Sequence, residues 1–362
     1  MRVKRLSQVS CGQGYAALAD ELKSMLYSGA IAAGQVLPTV RELGAKYGVS
    51  RETARRAVKR LQAEGLVACE PRHGHRAQAM ANDPDRGLPV AFVMSDPAGP
   101  GSWDLFRQML LAALQQAASA RGWSLLTIDA GARPVQEVAA QLQSCRACGM
   151  ILDTNRPELT AAVRGMGLPA VMVDAWVPEM GMDAVVQDGF QGALLAVSHL
   201  ASRGHRRIGW LGPISESAQG AERFGGAVAG LALAGLRIEP ELLADTARAG
   251  ALEAAREMLS RPERPTAALG LWHESAAALH RAARERGMVP GRDLEIVGWS
   301  PEEQYERVYR PLFGGDGPPA TMVWSAAELG RAAVRRLSER RAEPKLRPVL
   351  IKIPVTLREA QK

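Results

Sequence analysis

Apolar residues recur at helical spacing over residues 15–27, where Leu18, Leu22, Met25 and Leu26 share one side. Gly29 and the stretch 32–34 interrupt that pattern. Thr39-Val40-Arg41-Glu42 is a capping box, in which the hydroxyl and the carboxylate satisfy free N–H groups at a helix start. The short helix it predicts ends at Gly48, a residue suited to a left-handed cap. Val49 and Ser50 form a turn, and Ser50 is the N-cap of a third helix over 51–64. Ala54, Ala57, Val58 and Leu61 give that helix a narrow apolar stripe. A strand over 66–68 and a tight basic turn over 71–76 follow.

From residue 89 short apolar runs alternate with amphipathic stretches. Strands are predicted near 90–94, 123–128, 149–152, 170–173, 184–186, 208–211, 267–271 and 294–298. Helices are predicted near 104–121, 135–144, 158–166, 189–203, 221–234, 251–260, 274–286 and 325–341. Such alternation makes the fold class α/β, with parallel sheets flanked by helices. The stretch is too long for one such sheet, so two similar lobes are expected. Residues 80–88 are polar and rich in breakers, and read as a linker. The expected organisation is a tail over 1–14, a reader domain over 15–79, the linker, and a large domain over 89–362.

Charge sharpens this division. Residues 1–79 carry 13 Lys or Arg against 6 Asp or Glu, while the remainder carries 32 of each. The net charge of +7 therefore belongs to the first fifth of the chain, which points to a polyanionic partner. No run approaches the roughly 20 apolar residues that span a bilayer, and the first 14 residues lack an apolar signal region. The chain holds four cysteines. Their number speaks against a disulfide framework, so a cytoplasmic protein without membrane contact is expected.

On the third helix Arg55, Arg56 and Lys59 project away from the apolar stripe, with Arg51 at its leading edge. A short helix, a tight turn and a basic amphipathic helix form the unit that enters a major groove. Arginine can neutralise phosphate and can also bond guanine in a bidentate manner. The run LPTVRELGAKYGVSRETARRAVKRLQAEGLV (37–67) resembles the DNA-binding domain of the GntR family of bacterial regulators. The resemblance implies a winged helix-turn-helix, with DNA contacts from Arg41, Arg51 and Arg55 and a wing glycine at Gly74. Ser50, Thr53, Arg56, Lys59 and His73 complete the expected DNA-contacting set. The family's Gly-Arg-Gly wing reads Arg72-His73-Gly74 here.

The run VVQDGFQGALLAVSHLASRGHRRIGWLG (185–212) is similar to sensor domains of lactose/galactose-repressor-type regulators, which share the fold of periplasmic sugar-binding proteins. The segments at 222–226, 290–299 and 318–323 follow in that family's order. The resemblance implies two lobes, a homodimer, double-stranded operator DNA as partner, and closure around a sugar or related metabolite. It places crossovers near 188–189, 322–324 and 345. Lobe one would then hold about 89–188 and 324–345, and lobe two 189–323 and 346–362. A GntR-type reader on such a sensor is the arrangement of arabinose-responsive repressors.

In open parallel sheets ligands bind beyond the carboxyl ends of the strands. Those ends fall at Ser95-Asp96, Asp153-Thr154, Asp174-Ala175-Trp176, Gln187-Asp188, Trp272-His273 and Trp299-Ser300. Trp103 and Phe106 open a helix, and Trp324 lies at a crossover. Indole and phenyl faces suit the C–H face of a sugar or a flat heterocycle. Arg223 matches the family arginine that bonds effector hydroxyl or carboxylate groups. The expected effector set is Ser95, Asp96, Trp103, Phe106, Asp153, Trp176, Arg223, Trp272, His273, Trp299, Ser300 and Trp324. Trp272-His273 and Ser300 stand where the family often carries Asn-Asp and Asp, so the pocket is expected to be more aromatic than a typical hexose site.

Other signals are weak. Cys145-Arg146-Ala147-Cys148 has CxxC spacing but no second pair, so no metal site is expected. Gly225-Gly226 follows Arg223 within a helical region and reads as helix packing, not a phosphate loop. No nucleophile–base set stands out, so no catalytic residue and no cofactor is expected. An effector-controlled DNA-binding regulator, most simply a repressor, fits best. A solute-binding protein for transport and an enzyme on an α/β scaffold are the alternatives, which export and turnover would reveal.

Overall fold

The structure, a computed structural model, describes residues 15–27, 31, 34–63, 66–70, 74–77, 89–95, 105–176, 181–214, 218–246 and 250–360. The expected linker lies outside the described residues. The chain divides into two compact units, one built on the N-terminal helices and hairpin, the other taking in most of the α/β body.

The first unit holds α1 (Tyr15–Tyr27), α2 (Val40–Tyr47) and α3 (Arg51–Ala63), then the hairpin β1 (Val67–Glu70) and β2 (Gly74–Ala77). β1 and β2 pair antiparallel, with Val67 opposite Ala77. Leu18, Leu22 and Leu26 of α1 meet Leu43 of α2 and Ala54, Val58 and Leu61 of α3 in one buried cluster. The residues from α1 and α3 are positions that helical spacing marked as apolar, and Leu43 is added by the structure. Val36 bridges Arg76, and the Leu37 N–H donates to the His75 carbonyl at 2.7 Å, which ties the hairpin to the chain ahead of α2.

The α/β body follows the predicted alternation. It runs β3 (Pro89–Met94), α4 (Leu105–Ser119), β4 (Ser124–Asp129), α5 (Val135–Ser144), β5 (Gly149–Asp153), α6 (Pro157–Gly165), β6 (Ala170–Val173) and β7 (Asp183–Gln187). It continues with α7 (Gly189–Ser202), β8 (Ile208–Leu211), α8 (Ala218–Leu233), β9 (Leu243–Ala244), α9 (Ala251–Ser260), β10 (Ala267–Gly270), α10 (His273–Glu285) and β11 (Glu295–Pro301). After α11 (Glu302–Gln304) and irregular helical turns to Asp316 come β12 (Ala320–Trp324), α12 (Ala326–Ala342), β13 (Leu350–Ile353) and β14 (Thr356–Arg358).

The strands form two six-stranded sheets, ordered β13-β7-β6-β5-β3-β4 and β14-β12-β11-β10-β8-β9. β5 and β10, inside the two sheets, are buried along their whole length and mostly apolar, as strands covered on both faces are. β14 pairs antiparallel with β12, an edge addition to an otherwise parallel set. On α8 a Cβ at Gly226 would lie 2.1 Å from the Phe190 carbonyl oxygen of α7. That glycine exists for close helix approach, as the sequence suggested.

Among the described residues the chain crosses between the sheets three times. It leaves the first sheet after β7 at Asp188 and returns from β12 at Ser325, where α12 packs on β5, β6 and β7. The third crossing lies at Pro354, not near 345, because β13 stays in the first sheet beside β7. Lobe one therefore extends to Ile353. The cause is Asp183, whose side chain is almost fully buried. It accepts from Arg336 Nε at 3.0 Å, Arg340 Nε at 2.7 Å and the Val349 N–H at 2.9 Å. These bonds fasten both α12 and the entry to β13 onto lobe one.

Removing one partner of a buried ion pair strands the remaining charges. We therefore expect Asp183→Ala to destabilise the α/β body by about 3–5 kcal/mol, read as a lower midpoint in urea. An unchanged midpoint would show that the clamp contributes nothing.

Candidate functional site

Local chemistry fixes the start of α3. The Thr39 N–H donates to Glu42 Oε2 at 2.8 Å and the Glu42 N–H to Thr39 Oγ1 at 3.3 Å, so the capping box is complete. The Thr39 N–H holds the Glu42 carboxyl below its ordinary range. Gly48 takes φ 66°, and the chain turns tightly into α3. Ser50 Oγ accepts from the Thr53 N–H at 3.1 Å and lies 2.8 Å from Thr53 Oγ1. Ser50 and Thr53 thus shape the helix start.

With Ala54, Ala57, Val58 and Leu61 buried, Arg51, Arg55, Arg56 and Lys59 are exposed. Arg41 on α2 is exposed too. Two of these arginines already have partners. Arg55 pairs with Glu52 at 2.6 Å, and the Arg56 guanidinium stacks on the Tyr15 ring at 4.4 Å. Gly74 opens β2 with φ 85°, a conformation in which a side chain would be strained. His73 lies outside the described residues. Arg76 was not singled out from sequence; its Nη1 donates to the Gly34 carbonyl at 2.6 Å and braces the hairpin.

In the α/β body, strand ends from both sheets wall a cavity of about 320 Å³. Phe106, Asp153, Arg223, Trp272, His273, Trp299 and Trp324 line it, seven of the twelve residues expected there. Asp96 and Trp103 lie outside the described residues. Ser95, Trp176 and Ser300 do not line it. Ser95 accepts from Thr154 Oγ1 at 2.9 Å. Ser300 is buried and donates to the Pro301 carbonyl, while its neighbours Trp299 and Pro301 face the cavity. At Asp174 the backbone turns left-handed, with φ 48°. That turn leaves Asp174 in the wall and Trp176 out of it.

Arg223 organises the floor. It is 4% exposed, and its guanidinium packs on two indoles, 4.2 Å from the Trp272 ring and 4.3 Å from the Trp299 ring. Its Nη1 donates to the Leu271 carbonyl and its Nη2 to Gln187 Oε1 at 2.9 Å. Trp299 Nε1 donates to the same oxygen at 2.7 Å. Gln187 Nε2 donates in turn to Asp174 Oδ1 at 3.2 Å, and Gln219 Nε2 to the Asp174 carbonyl. Burial lowers the Arg223 pKa to about 10. Burial, and then the charge of Asp153, push Asp174 up to about 7. Asp153 is itself paired with Arg107 Nε at 3.1 Å.

Sequence reasoning missed Arg107, Asp174, Gln187, Gln219 and Gln304, all of which line the cavity. Asp174 and Gln187 were visible as strand ends. Arg107, Gln219 and Gln304 sit on helices whose rotation the pattern alone does not set. Gln219 Oε1, Gln304 Nε2 and Trp324 Nε1 are buried without a hydrogen-bond partner among the described residues. A larger cavity, about 560 Å³, lies at the amino ends of the second sheet's strands. Its acids are already paired: Glu295 with Arg203 at 2.6 Å and His205 at 2.9 Å, and Asp316 with His280 at 3.0 Å.

Among the described residues no group of His, Cys, Asp and Glu is arranged to hold a metal ion. No described helix is long and apolar enough to cross a membrane.

Residues 14–76 match the gntR family of bacterial regulatory proteins, and residues 197–360 match the periplasmic binding protein-like domain. The chain is 25% identical over 303 residues to the arabinose metabolism transcriptional repressor of Geobacillus stearothermophilus, covering 79% of this chain and 81% of that one. It is 24% identical over 258 residues to the ribose operon repressor of Haemophilus influenzae, covering 69% and 76%. Among solved structures, the cellobiose complex of the transcriptional regulator CelR superposes with a TM-score of 0.65 at 22% identity, over 90% of this chain and 99% of that one. The lac repressor dimer bound to operator and an anti-inducer gives 0.63 at 22% identity, over 76% and 93%. These likenesses show the fold.

The raised Asp174 pKa makes a signed expectation. A folded state that keeps this proton above the ordinary value of 3.8 is favoured at low pH. Its stability contribution falls as pH rises from about 4 towards 7, and is level above that. We expect the thermal midpoint of the wild type to fall relative to that of Asp174→Asn between pH 5 and pH 7.5. Parallel midpoints across that range would show that Asp174 titrates normally.

Proposed function

We propose that this chain, which joins a GntR-type helix-turn-helix to a periplasmic-binding-protein-like domain, is an operator-binding transcriptional repressor whose DNA affinity is set by a small molecule held between two lobes. The observation that carries the reading is the presence, in one chain, of a capped basic helix and of a cleft walled from both sheets. Arg41, Arg51, Arg55 and Lys59 meet the duplex, with Ser50 and Thr53 at the leading end of the reading helix. Arg56 acts chiefly through its stack on Tyr15.

The relatives are transcriptional repressors, two of them named for arabinose and ribose metabolism. Carried over to this chain, they favour a sugar or related metabolite as effector and a role that is not enzymatic. The CelR structure holds cellobiose, and an Enterococcus faecium regulator of the same fold holds ribose. The effector is bonded by Asp153, Asp174, Gln219 and Arg223 and packed by Phe106 and Trp324. The lac repressor neighbour is a dimer on its operator. A homodimer of this chain in the cytoplasm presents two α3 helices to half-sites about 34 Å apart, one duplex turn. The effector shifts DNA affinity only as far as it prefers one lobe arrangement over the other.

The reading is tested with a duplex selected from a random library by the full-length protein. Arg51→Ala and Arg55→Ala should each weaken binding to that duplex at least about tenfold, as loss of a bidentate base contact does, with an unchanged circular dichroism spectrum. Full affinity in both variants would remove α3 from the groove. In parallel, a pentose and hexose panel should include a compound that raises the melting temperature and changes duplex affinity. No stabilising compound in a wider panel of sugars, sugar phosphates and nucleobases would argue against an effector in the cleft.

A further inference from the structure

The exposed side of α3 carries one acid among its bases. In Arg51–Ala63 the basic residues are Arg51, Arg55, Arg56, Lys59 and Arg60, and Glu52 is the sole carboxylate. At 3.6 residues per turn Glu52 stands about 20° from Lys59, about 40° from Arg56 and about 60° from Arg55 around the helix axis. It therefore occupies the middle of the basic face. A negative charge there repels the phosphates that the arginines attract, a cost to a polyanion-binding surface that a base contact by the carboxylate offsets.

Two further observations say what it reads. Glu52 is the second residue of the helix, and the amino-terminal residues of a reading helix are those that reach base edges. Its Oε2 lies 2.6 Å from Arg55 Nη2, with the two side chains 60% and 61% exposed. An exposed pair of this kind adds little stability. Ser50 Oγ already accepts from the Thr53 N–H at the helix start, and a first-turn acid adds only about 0.3–1 kcal/mol through the helix dipole. The pair does hold the Arg55 fork beside an acceptor-only group on the groove-facing side. A carboxylate cannot donate to the guanine or thymine acceptors of the major groove, but it accepts from the exocyclic amine of cytosine.

We infer that Glu52 is a specificity-determining residue which accepts a hydrogen bond from cytosine N4 at one position of each half-site, adjacent to the base contacted by Arg55. Its charge also lowers binding to unrelated duplex, so it raises discrimination from both directions. The inference rests on the operator-binding reading above.

The test is selection from a random duplex library by the full-length wild type and by Glu52→Gln and Glu52→Ala. The wild type should select cytosine at one position in each half-site. Glu52→Gln should select adenine there, because an amide bonds adenine N6 and N7 together. Glu52→Ala should leave that position degenerate and bind unselected duplex about tenfold more tightly at low salt. A merely structural acid would not move a base preference. The same consensus from all three proteins overturns the inference while leaving the operator-binding reading intact. Failure of the wild type to select any sequence overturns that reading, and this inference with it. Should Glu52→Ala unfold, the near-isosteric Glu52→Gln decides alone: cytosine retained overturns, adenine gained supports.

Discussion

The Gln187 carboxamide oxygen accepts from Arg223 and from Trp299, and this shared acceptor sets the geometry around the cleft. Gln187 ends a strand of the first sheet, while Arg223 and Trp299 belong to the second lobe. A guanidinium buried to this degree needs acceptors on its edges and electron-rich faces to pack on. The Leu271 carbonyl and Gln187 supply the former, and the two indoles the latter. Each stack is worth about 0.5–2 kcal/mol, the more so away from water. Asp174, at the far end of the same chain of bonds, is raised by its own burial and by Asp153, and the Arg223 charge offsets part of that rise.

The reader unit meets a different constraint. Its helices are short, and isolated helices of such length are marginal in water. Stability has to come from the shared apolar cluster and from caps that satisfy free backbone groups, which Thr39, Glu42, Gly48 and Ser50 provide. The basic side chains are then left on the outer face by exclusion, since the inner positions of α3 are taken by Ala54, Ala57, Val58 and Leu61. Stacking Arg56 on Tyr15 withdraws one of those cations from the outer row and spends it on holding α1 against α3.

Much of this was legible in the sequence because the signals were local. Thr39–Glu42 and Gly48 encode their own geometry, and the apolar runs of β5 and β10 can sit only between two covering layers. The late strands were harder. β12 reads as a crossover because it ends at one, and β13 carries Lys352 in its midst, which dilutes its apolar pattern. Its allegiance to the first sheet depends on Asp183, 166 residues before Val349, and no window reveals such a clamp. In the cleft, aromatic residues at strand ends announced themselves by type. Arg107 and Gln304 were hidden because a helix turns each residue to a different side, and only packing fixes which side faces the cavity.

The three crossings at Asp188, Ser325 and Pro354 all leave from one border, because β7 lies next to β13 in the first sheet and β12 next to β14 in the second. The lobes are thus bound like two covers along a single spine. Each cover spans five strand spacings, roughly 24 Å at about 4.8 Å apiece. A turn of about 10° at the spine therefore displaces the outermost strands, β4 and β9, by about 4 Å relative to one another. Turns of a few degrees at the spine become, at the free margins, displacements as wide as a side chain.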